Sequence, residues 1–238
     1  MVEIQCKFIP AGTGIRCPKQ YSVLDPKGMC WHWTSNPKRG AGAENHWQYW
    51  HNTDVGAQYV VDDHTILQAA PDNEVVWHAG GGDYTAYAKK KYPAGCNSSL
   101  IGVEMCINSD GDWNETYRNA VHLGAVKCVQ YGWSPYINFE RHYDCTRKDC
   151  PRFWTPYVTG GNETWKQFVD DVSEEIKKLK GVETVETWKA AIMKQAAEQG
   201  LIDPKLGHQA DDPATKWFVL AVGLNILKVV KGWLTQTR

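Results

Sequence analysis

The chain has 238 residues, and its 26 Lys and Arg balance 27 Asp and Glu, giving a pI near 6.7. This length allows one sizeable hydrophobic core, with or without a small appendage. The even charge argues against a nucleic-acid partner, for which a basic excess or stripe is expected. We also expect no membrane span, because Asn225, Lys228 and Lys231 interrupt the apolar run that begins at residue 217.

Cysteine usage bears on the compartment in which the protein is made. The N-terminal segment lacks the charged start and apolar core of a signal peptide. We therefore expect synthesis in a reducing cytosol, with most thiols free or metal-bound rather than paired in disulfides. The eight cysteines are at positions 6, 17, 30, 96, 106, 128, 145 and 150.

The first predicted strand covers residues 28–34, after an irregular N-terminal segment. Its alternation places Met29, Trp31 and Trp33 on one face and Cys30, His32 and Thr34 on the other. A short helix is predicted at residues 43–51. Two strands at residues 58–62 and 65–69 flank a hairpin turn.

Residues 100–107 predict another strand, in which Gly102, Glu104 and Cys106 share one face. A carboxylate between such small neighbours has the space that a metal or a substrate requires. Helices are predicted after Asn114 and Asn162, each of which is expected to be the N-cap. Strands interleaved with helices favour an α/β fold in which helices flank a central sheet.

The sequence after residue 180 differs in character. A plausible linker is followed by two predicted helices, at residues 188–199 and about 213–234. We therefore divide the chain into domains at 1–181 and 182–238, the second of them small and all-helical. Its last helix is apolar on nearly all sides, so it must be buried against the other helix, the first domain or a second copy. Self-association through these helices is thus a further expectation.

The segment Arg-His-Tyr-Asp-Cys-Thr-Arg-Lys-Asp-Cys-Pro at residues 141–151 is the strongest chemical signal. It supplies the imidazole of His142, the ammonium of Lys148 and the thiol of Cys150. Zn²⁺ binds nitrogen and sulfur ligands, and a catalytic zinc has three of them with one position left for water. His32 is the best third ligand, and this open set predicts a hydrolase.

Two other interpretations of this segment stay open. Cys145 as a fourth ligand would close the coordination sphere and make the zinc structural. Cys150 and His142 without a metal would be a cysteine peptidase pair. Inhibition by a chelator, reversed by zinc, would distinguish the zinc enzyme from the peptidase.

The chain resembles the type 2 N-acetylmuramoyl-L-alanine amidases, zinc enzymes related to peptidoglycan recognition proteins and common among phage endolysins. Five stretches carry the resemblance, in order along residues 28–155. They are Trp-His-Trp-Thr-Ser-Asn at 31–36, Gln-Tyr-Val-Val-Asp-Asp at 58–63, Trp-His-Ala-Gly at 77–80, Ile-Gly-Val-Glu-Met at 101–105, and Arg-His-Tyr-Asp-Cys at 141–145 with its continuation to Cys150.

The resemblance implies a mixed central sheet flanked by helices and one Zn²⁺ on His32, His142 and Cys150. It implies hydrolysis of the amide between N-acetylmuramic acid and L-alanine in peptidoglycan. Zinc would lower the pKa of a bound water and polarise the carbonyl. Glu104 is then the expected general base, and Lys148 the expected group beside the oxyanion.

Further roles follow from the same resemblance. Trp77 and His78 are expected to contact substrate in the groove. Ala57 occupies the position at which one branch of the family has a catalytic tyrosine, so the chain is similar to the branch that relies on glutamate. Gln58 stands where relatives often have histidine.

The expected biological role is that of a phage or prophage lytic amidase, held in the host cytoplasm until release and then acting on the cell wall. In such a chain residues 182–238 would bind the wall. A host autolysin or recycling amidase and a non-catalytic peptidoglycan-binding module are the alternatives. The second is disfavoured because such modules typically lose the cysteine ligand, which is present here as Cys150.

Overall fold

The computed structural model describes residues 2–17 and 25–181. The chain divides into two compact units, Met1–Lys180 and Gly181–Arg238. The helices predicted for residues 182–238, and their proposed self-association, lie outside the described residues and stay predictions. Among the described helices, none has the length and apolar character needed to cross a membrane.

A mixed six-stranded sheet forms the centre of the first unit, as predicted. Its spatial order is β1-β4-β3-β5-β2-β6, in which only β3 and β4 pair antiparallel. The hairpin predicted around residues 63 and 64 is therefore confirmed. The strands are β1 (Ile4–Cys6), β2 (Gly28–Trp33), β3 (Tyr59–Val61), β4 (Ile66–Gln68), β5 (Leu100–Met105) and β6 (Phe139–Arg141).

Helices flank the sheet, and the two longest, α3 and α6, pack against each other over one of its faces. Trp31 of β2 and Phe168 of α6 meet in this core, with ring centroids 4.7 Å apart. This packing confirms the prediction that Met29 and Trp31 lie on the same face of β2. The helices are α1 (Ala43–Tyr49), α2 (Ala86–Lys91), α3 (Trp113–Tyr131), α4 (Pro135–Asn138), α5 (His142–Thr146) and α6 (Gly161–Leu179).

Both predicted N-caps were wrong by two residues. The cap of α3 is Asp112, whose carboxylate accepts hydrogen bonds from the backbone N–H groups of Asn114 and Glu115. The cap of α6 is Gly160, with φ at 76°, so Asn162 lies in the first turn. The segment before residue 28 was predicted to be irregular, but it contributes the edge strand β1.

The fold brings three chemically important residues to one edge of the sheet. Strands β5, β2 and β6 are neighbours and run parallel, so their carboxyl ends meet at the same edge. Glu104 lies near the end of β5, His32 near the end of β2, and His142 directly after β6. Ligands in open α/β sheets bind at such an edge.

Candidate metal centre

His32, His142 and Cys150 form a compact cluster at this edge of the sheet. One ligand atom from each lies within 4.8 Å of the others, and all three residues are buried. Ligand bonds of about 2.0–2.3 Å in a tetrahedral zinc site require somewhat closer spacing, which small side-chain movements would supply. The cluster predicted from the sequence is therefore assembled by the fold.

A short chain of hydrogen bonds fixes the tautomer of His32, and thereby which ring nitrogen faces the cluster. His78 Nε2 lies 3.0 Å from the carbonyl oxygen of Leu100, which can only accept, so His78 donates from Nε2. Its Nδ1 must then accept from His32 Nε2, 3.0 Å away. His32 Nδ1 is therefore unprotonated and can accept from the thiol of Cys150, whose Sγ lies 3.7 Å away.

His142 is oriented in the same way by a main-chain oxygen. Its Nε2 lies 2.7 Å from the carbonyl oxygen of Gly80 and donates to it. Its Nδ1 is buried and has no hydrogen-bond partner among residues 2–17 and 25–181. A buried polar atom without a partner is costly, and a metal ion would satisfy it.

Burial keeps His78 and the two candidate histidine ligands neutral, as metal binding requires. Burial lowers the pKa of His78 to about 4 and that of His142 to about 3, and the Lys148 ammonium adds to the effect on His142. Burial and the neighbouring His142 hold the pKa of His32 well below its usual value.

Cys150 reaches the cluster because the chain reverses directly after α5. Arg147 adopts the left-handed conformation, with φ at 65°, and ends the helix. The backbone N–H of Tyr143 then donates to the carbonyl of Cys150 at 2.9 Å, closing the loop. Burial raises the pKa of the Cys150 thiol, so a metal would have to displace its proton.

Glu104 and Lys148 both line the cavity that opens onto the cluster. Burial raises the pKa of Glu104 to about 8, against the opposing effect of the Lys148 ammonium. Glu104 Oε2 is buried and unpartnered within the described part of the chain. The arrangement offers a proton acceptor and a cation beside the same candidate metal position.

The chain is similar in sequence to proteins of known family. A family model described as N-acetylmuramoyl-L-alanine amidase matches residues 22–153, more than half of the chain. The chain belongs to this amidase family. The expectation drawn from the five sequence stretches is thereby confirmed.

Curated amidases and a solved catalytic domain are similar to this chain. A probable N-acetylmuramoyl-L-alanine amidase of Bacillus licheniformis is 34% identical over 185 residues, covering 74% of this chain and 48% of that protein. The amidase CwlL of the same species is 30% identical over 240 residues, covering 96% of this chain and 61% of CwlL. The chain thus spans only part of the length of these relatives.

The structural comparison supports the fold of the first unit. The catalytic domain of XlyA superposes with a TM-score of 0.58 and 30% identity, covering 72% of this chain and 99% of that domain. XlyA is an N-acetylmuramoyl-L-alanine amidase of Bacillus subtilis. The mixed sheet with flanking helices is therefore the fold of an amidase catalytic domain.

His78 and Trp77, the two predicted substrate contacts, differ in exposure: His78 is buried and Trp77 is exposed. His78 is buried with both ring nitrogens bonded inside the protein, so it has no free polar atom for a substrate. Its geometry favours a positioning role toward His32 instead of the predicted substrate contact. Trp77 is 37% exposed and does not line the cavity of about 790 Å³ beside the cluster.

The cavity also contains residues that the sequence did not single out. His46 and Thr34 line it, and each has a buried polar atom without a partner among the described residues. Three cations, Lys38, Arg39 and Arg152, add to Lys148 around the opening. Thr34, Lys38 and Arg39 lie within seven residues of His32 in the sequence, and Arg152 lies two residues after Cys150, so proximity to the predicted ligands could have indicated them. His46 reaches the cavity on α1, which its position in the sequence alone does not reveal.

Cys145 is not part of the His32 cluster. Its Sγ lies 3.9 Å from that of Cys30, in a buried group that also contains Cys96. Cys30, His32 and His78 form a second set of closely spaced ligand atoms. Metal binding there would require loss of the proton shared between His32 and His78, so the set with Cys150 is favoured.

Proposed function

We propose that the chain hydrolyses the amide between N-acetylmuramic acid and L-alanine in bacterial peptidoglycan, with Zn²⁺ held by His32, His142 and Cys150. The observation that carries the proposal is the convergence of two unprotonated imidazole nitrogens and one thiol at an edge that also presents Glu104. Membership of the amidase family supports the choice of substrate.

The chain's own residues provide the proton transfers. Bound zinc supplies a nucleophile at neutral pH and polarises the scissile carbonyl. Glu104, half-buried beside the candidate metal position, takes the proton from the attacking water and delivers it to the departing alanine nitrogen. A bound dication would lower the pKa of Glu104 from the value of about 8 that burial produces.

Lys148 is assigned to the oxyanion of the tetrahedral intermediate. Its ammonium lies close enough to influence Glu104, His32 and His142 electrostatically. Within the described residues it has no ion-pair partner, so its charge is available to a substrate oxygen.

Digestion of purified peptidoglycan followed by end-group analysis tests the activity. The expected result is new N-terminal alanine without new reducing sugar ends. Reducing ends would instead indicate a glycosidase, and walls that bind the protein but release neither product would indicate a non-catalytic binding module.

A cysteine peptidase is disfavoured by the environment of Cys150. Nucleophilic cysteines have lowered pKa values, whereas burial raises that of Cys150. Chelator treatment should abolish activity, and added zinc should restore it. Loss of activity only on thiol alkylation, with no effect of the chelator, would favour the peptidase.

The biological setting is part of the same proposal. We assign the chain to lysis of bacteria from within, as a phage or prophage endolysin, in preference to host wall turnover. It would accumulate in the host cytoplasm and act on the wall after release, with residues 182–238 binding the wall. A fusion of these residues to a fluorescent protein should label purified cell walls, and absence of labelling would remove that role.

A further inference from the structure

A second cavity, of about 680 Å³, lies among α3, α6 and the turn Arg152–Trp154. We call it the aromatic cleft. The helices that form it pack on the face of the sheet opposite His32. Nothing in the proposed chemistry uses this cleft. Its lining includes Trp113, Phe153, Asn108, Asn114, Gln167 and Asp171.

A tryptophan held by its neighbours provides the apolar surface of the cleft. Trp113 is 38% exposed, although its ring packs edge-on against Phe153 at a centroid distance of 4.7 Å. It also lies 6.5 Å from the ring of Tyr117. Such contacts restrain the ring before any ligand arrives, which lowers the entropic cost of binding a flat, partly apolar molecule.

Two side-chain amides, those of Gln167 and Asn114, accompany this aromatic surface. Asp171 accepts from Tyr117 Oη at 2.7 Å and from Gln167 Nε2 at 2.7 Å. This fixes the amide of Gln167 and leaves its Oε1 without a partner among the described residues. The side-chain amide of Asn114 is likewise unbonded there. These groups suit the hydroxyl and acetamido groups of a sugar.

The two cavities differ in charge, and this difference decides which part of the substrate each one suits. The metal cavity has an excess of positive charge, because four cations line it together with the carboxylates of Glu104 and Asp149. The cations are Lys38, Arg39, Lys148 and Arg152. Among residues 2–17 and 25–181, the lining of the aromatic cleft contains no Lys or Arg, and it includes the carboxylate of Asp171. An anionic stem peptide is favoured by the first cavity and repelled by the second, whereas an uncharged saccharide is compatible with the second.

The cleft is also adjacent to the metal cavity. Arg152 lines the metal cavity, and the next residue, Phe153, lines the aromatic cleft. The ring of Phe153 packs at 5.9 Å against Trp33, which lines the metal cavity. A polymer bound over the metal position therefore needs to cross only this pair of rings to enter the cleft.

We propose that the aromatic cleft is a binding site for the glycan strand of the substrate, and that it holds an N-acetylated amino sugar against Trp113 while the metal cavity holds the peptide. The identity of the polymer rests on the proposed function. Binding of the sugar itself does not require catalysis, so the two can be tested separately.

The test measures binding of N,N′,N″-triacetylchitotriose to the full chain by calorimetry. Trp113→Ala should weaken binding by about tenfold, and Gln167→Ala by about threefold. Tyr136→Ala is the matched control, because Tyr136 is an aromatic residue that is 60% exposed and lines neither cavity. It should bind the trisaccharide as the unmodified chain does.

Two further measurements separate the outcomes. Glu104→Gln should keep full trisaccharide binding, so failure of the hydrolytic proposal would leave this result intact. On polymeric peptidoglycan, Trp113→Ala should lose about tenfold in kcat/KM, while turnover of a soluble muramoyl peptide should be unchanged. The inference is overturned if the unmodified chain does not bind the trisaccharide, or if Trp113→Ala binds it equally well at an unchanged thermal midpoint.

Discussion

Glu104 lies directly opposite His32 on the neighbouring parallel strand, as part of a six-residue register between β5 and β2. Side chains paired in this way share a face of the sheet, so the proposed base and a proposed metal ligand are fixed relative to each other by backbone hydrogen bonds. The register makes the position of the carboxylate independent of any flexible loop.

Replacing Glu104 by Gln should lower kcat on peptidoglycan by at least about 10²-fold, because an amide cannot take up the proton of the attacking water. The amide has nearly the same shape, so zinc content measured by atomic absorption should stay close to one equivalent. Retention of most activity would assign the base to another group.

Replacing Lys148 by Met should lower kcat by about 10²–10³-fold with little change in KM, because the lost contact forms only as charge develops on the oxygen. Steady-state kinetics on a soluble muramoyl peptide would measure this split. Lys90→Met, at an exposed position on α2, is the control and should behave as the unmodified chain. A rise in KM at constant kcat would instead indicate substrate binding.

Replacing His78 by Phe should weaken zinc binding by about 10–100-fold, because His32 loses the acceptor that fixes its tautomer. Competition with a chromogenic chelator measures the affinity. His64→Phe is the matched control, since the His64 side chain in the hairpin turn is 81% exposed and does not line the metal cavity. Equal affinity in both variants would show that His78 does not position the ligand.

Gly102→Ala should weaken zinc binding by a similar factor, because the added methyl group on β5 would displace His78. A Cβ atom at this position would lie 2.6 Å from Cγ of His78, so the imidazole would have to move. We expect the free energy of unfolding to fall by about 1–3 kcal/mol, measured by urea denaturation. Gly132→Ser is a control for glycine replacement away from the site, where an added Cβ meets nothing within 4 Å although φ is positive. Normal zinc affinity in Gly102→Ala would mean that His78 is not held against β5.

The stability of the metal-free protein should pass through a maximum near pH 6.5. The folded pKa values of His32, His78 and His142 lie below the unfolded value of about 6.5, so their contribution is full above that pH and is lost on acidification. The pKa of Glu104 is raised to about 8, so its contribution is present at low pH and is lost as the pH rises toward 8.

Below pH 6.5 three histidines raise the free energy of unfolding with increasing pH, while one carboxyl group lowers it. The net slope is roughly 2–3 kcal/mol per pH unit. Urea unfolding between pH 5 and 8 would measure the profile, below the pH at which unfolded thiols ionise. Glu104→Gln should remove the decline between pH 6.5 and 8 and leave the acid side in place. A flat profile in the unmodified chain would contradict the burial of neutral histidines.

The candidate metal cluster could be predicted from the sequence because its residue types are rare and its motifs are local. Alternation along residues 28–34 placed His32 on the face opposite Trp31, and the core packing of Trp31 agrees. The sequence could not pair His32 with Glu104, since that register depends on a strand order that joins residues 72 positions apart.

The role of His78 shows a different limit. A histidine followed by one alanine and then three glycines resembles a loop residue that faces a groove. Its burial depends on Gly102, which lies on another strand and leaves room for the ring.

The N-cap of α3 was missed because Asp112 and Asn114 are both good capping residues, and side-chain geometry alone distinguishes them.

Both imidazoles that face the metal position are aimed, directly or through His78, by main-chain oxygens of Gly80 and Leu100. A peptide carbonyl is neither titrated in the physiological range nor removed by a point mutation, unlike a carboxylate partner. Substitutions among the surrounding side chains can therefore be extensive without disturbing which nitrogen each histidine presents to the candidate metal position.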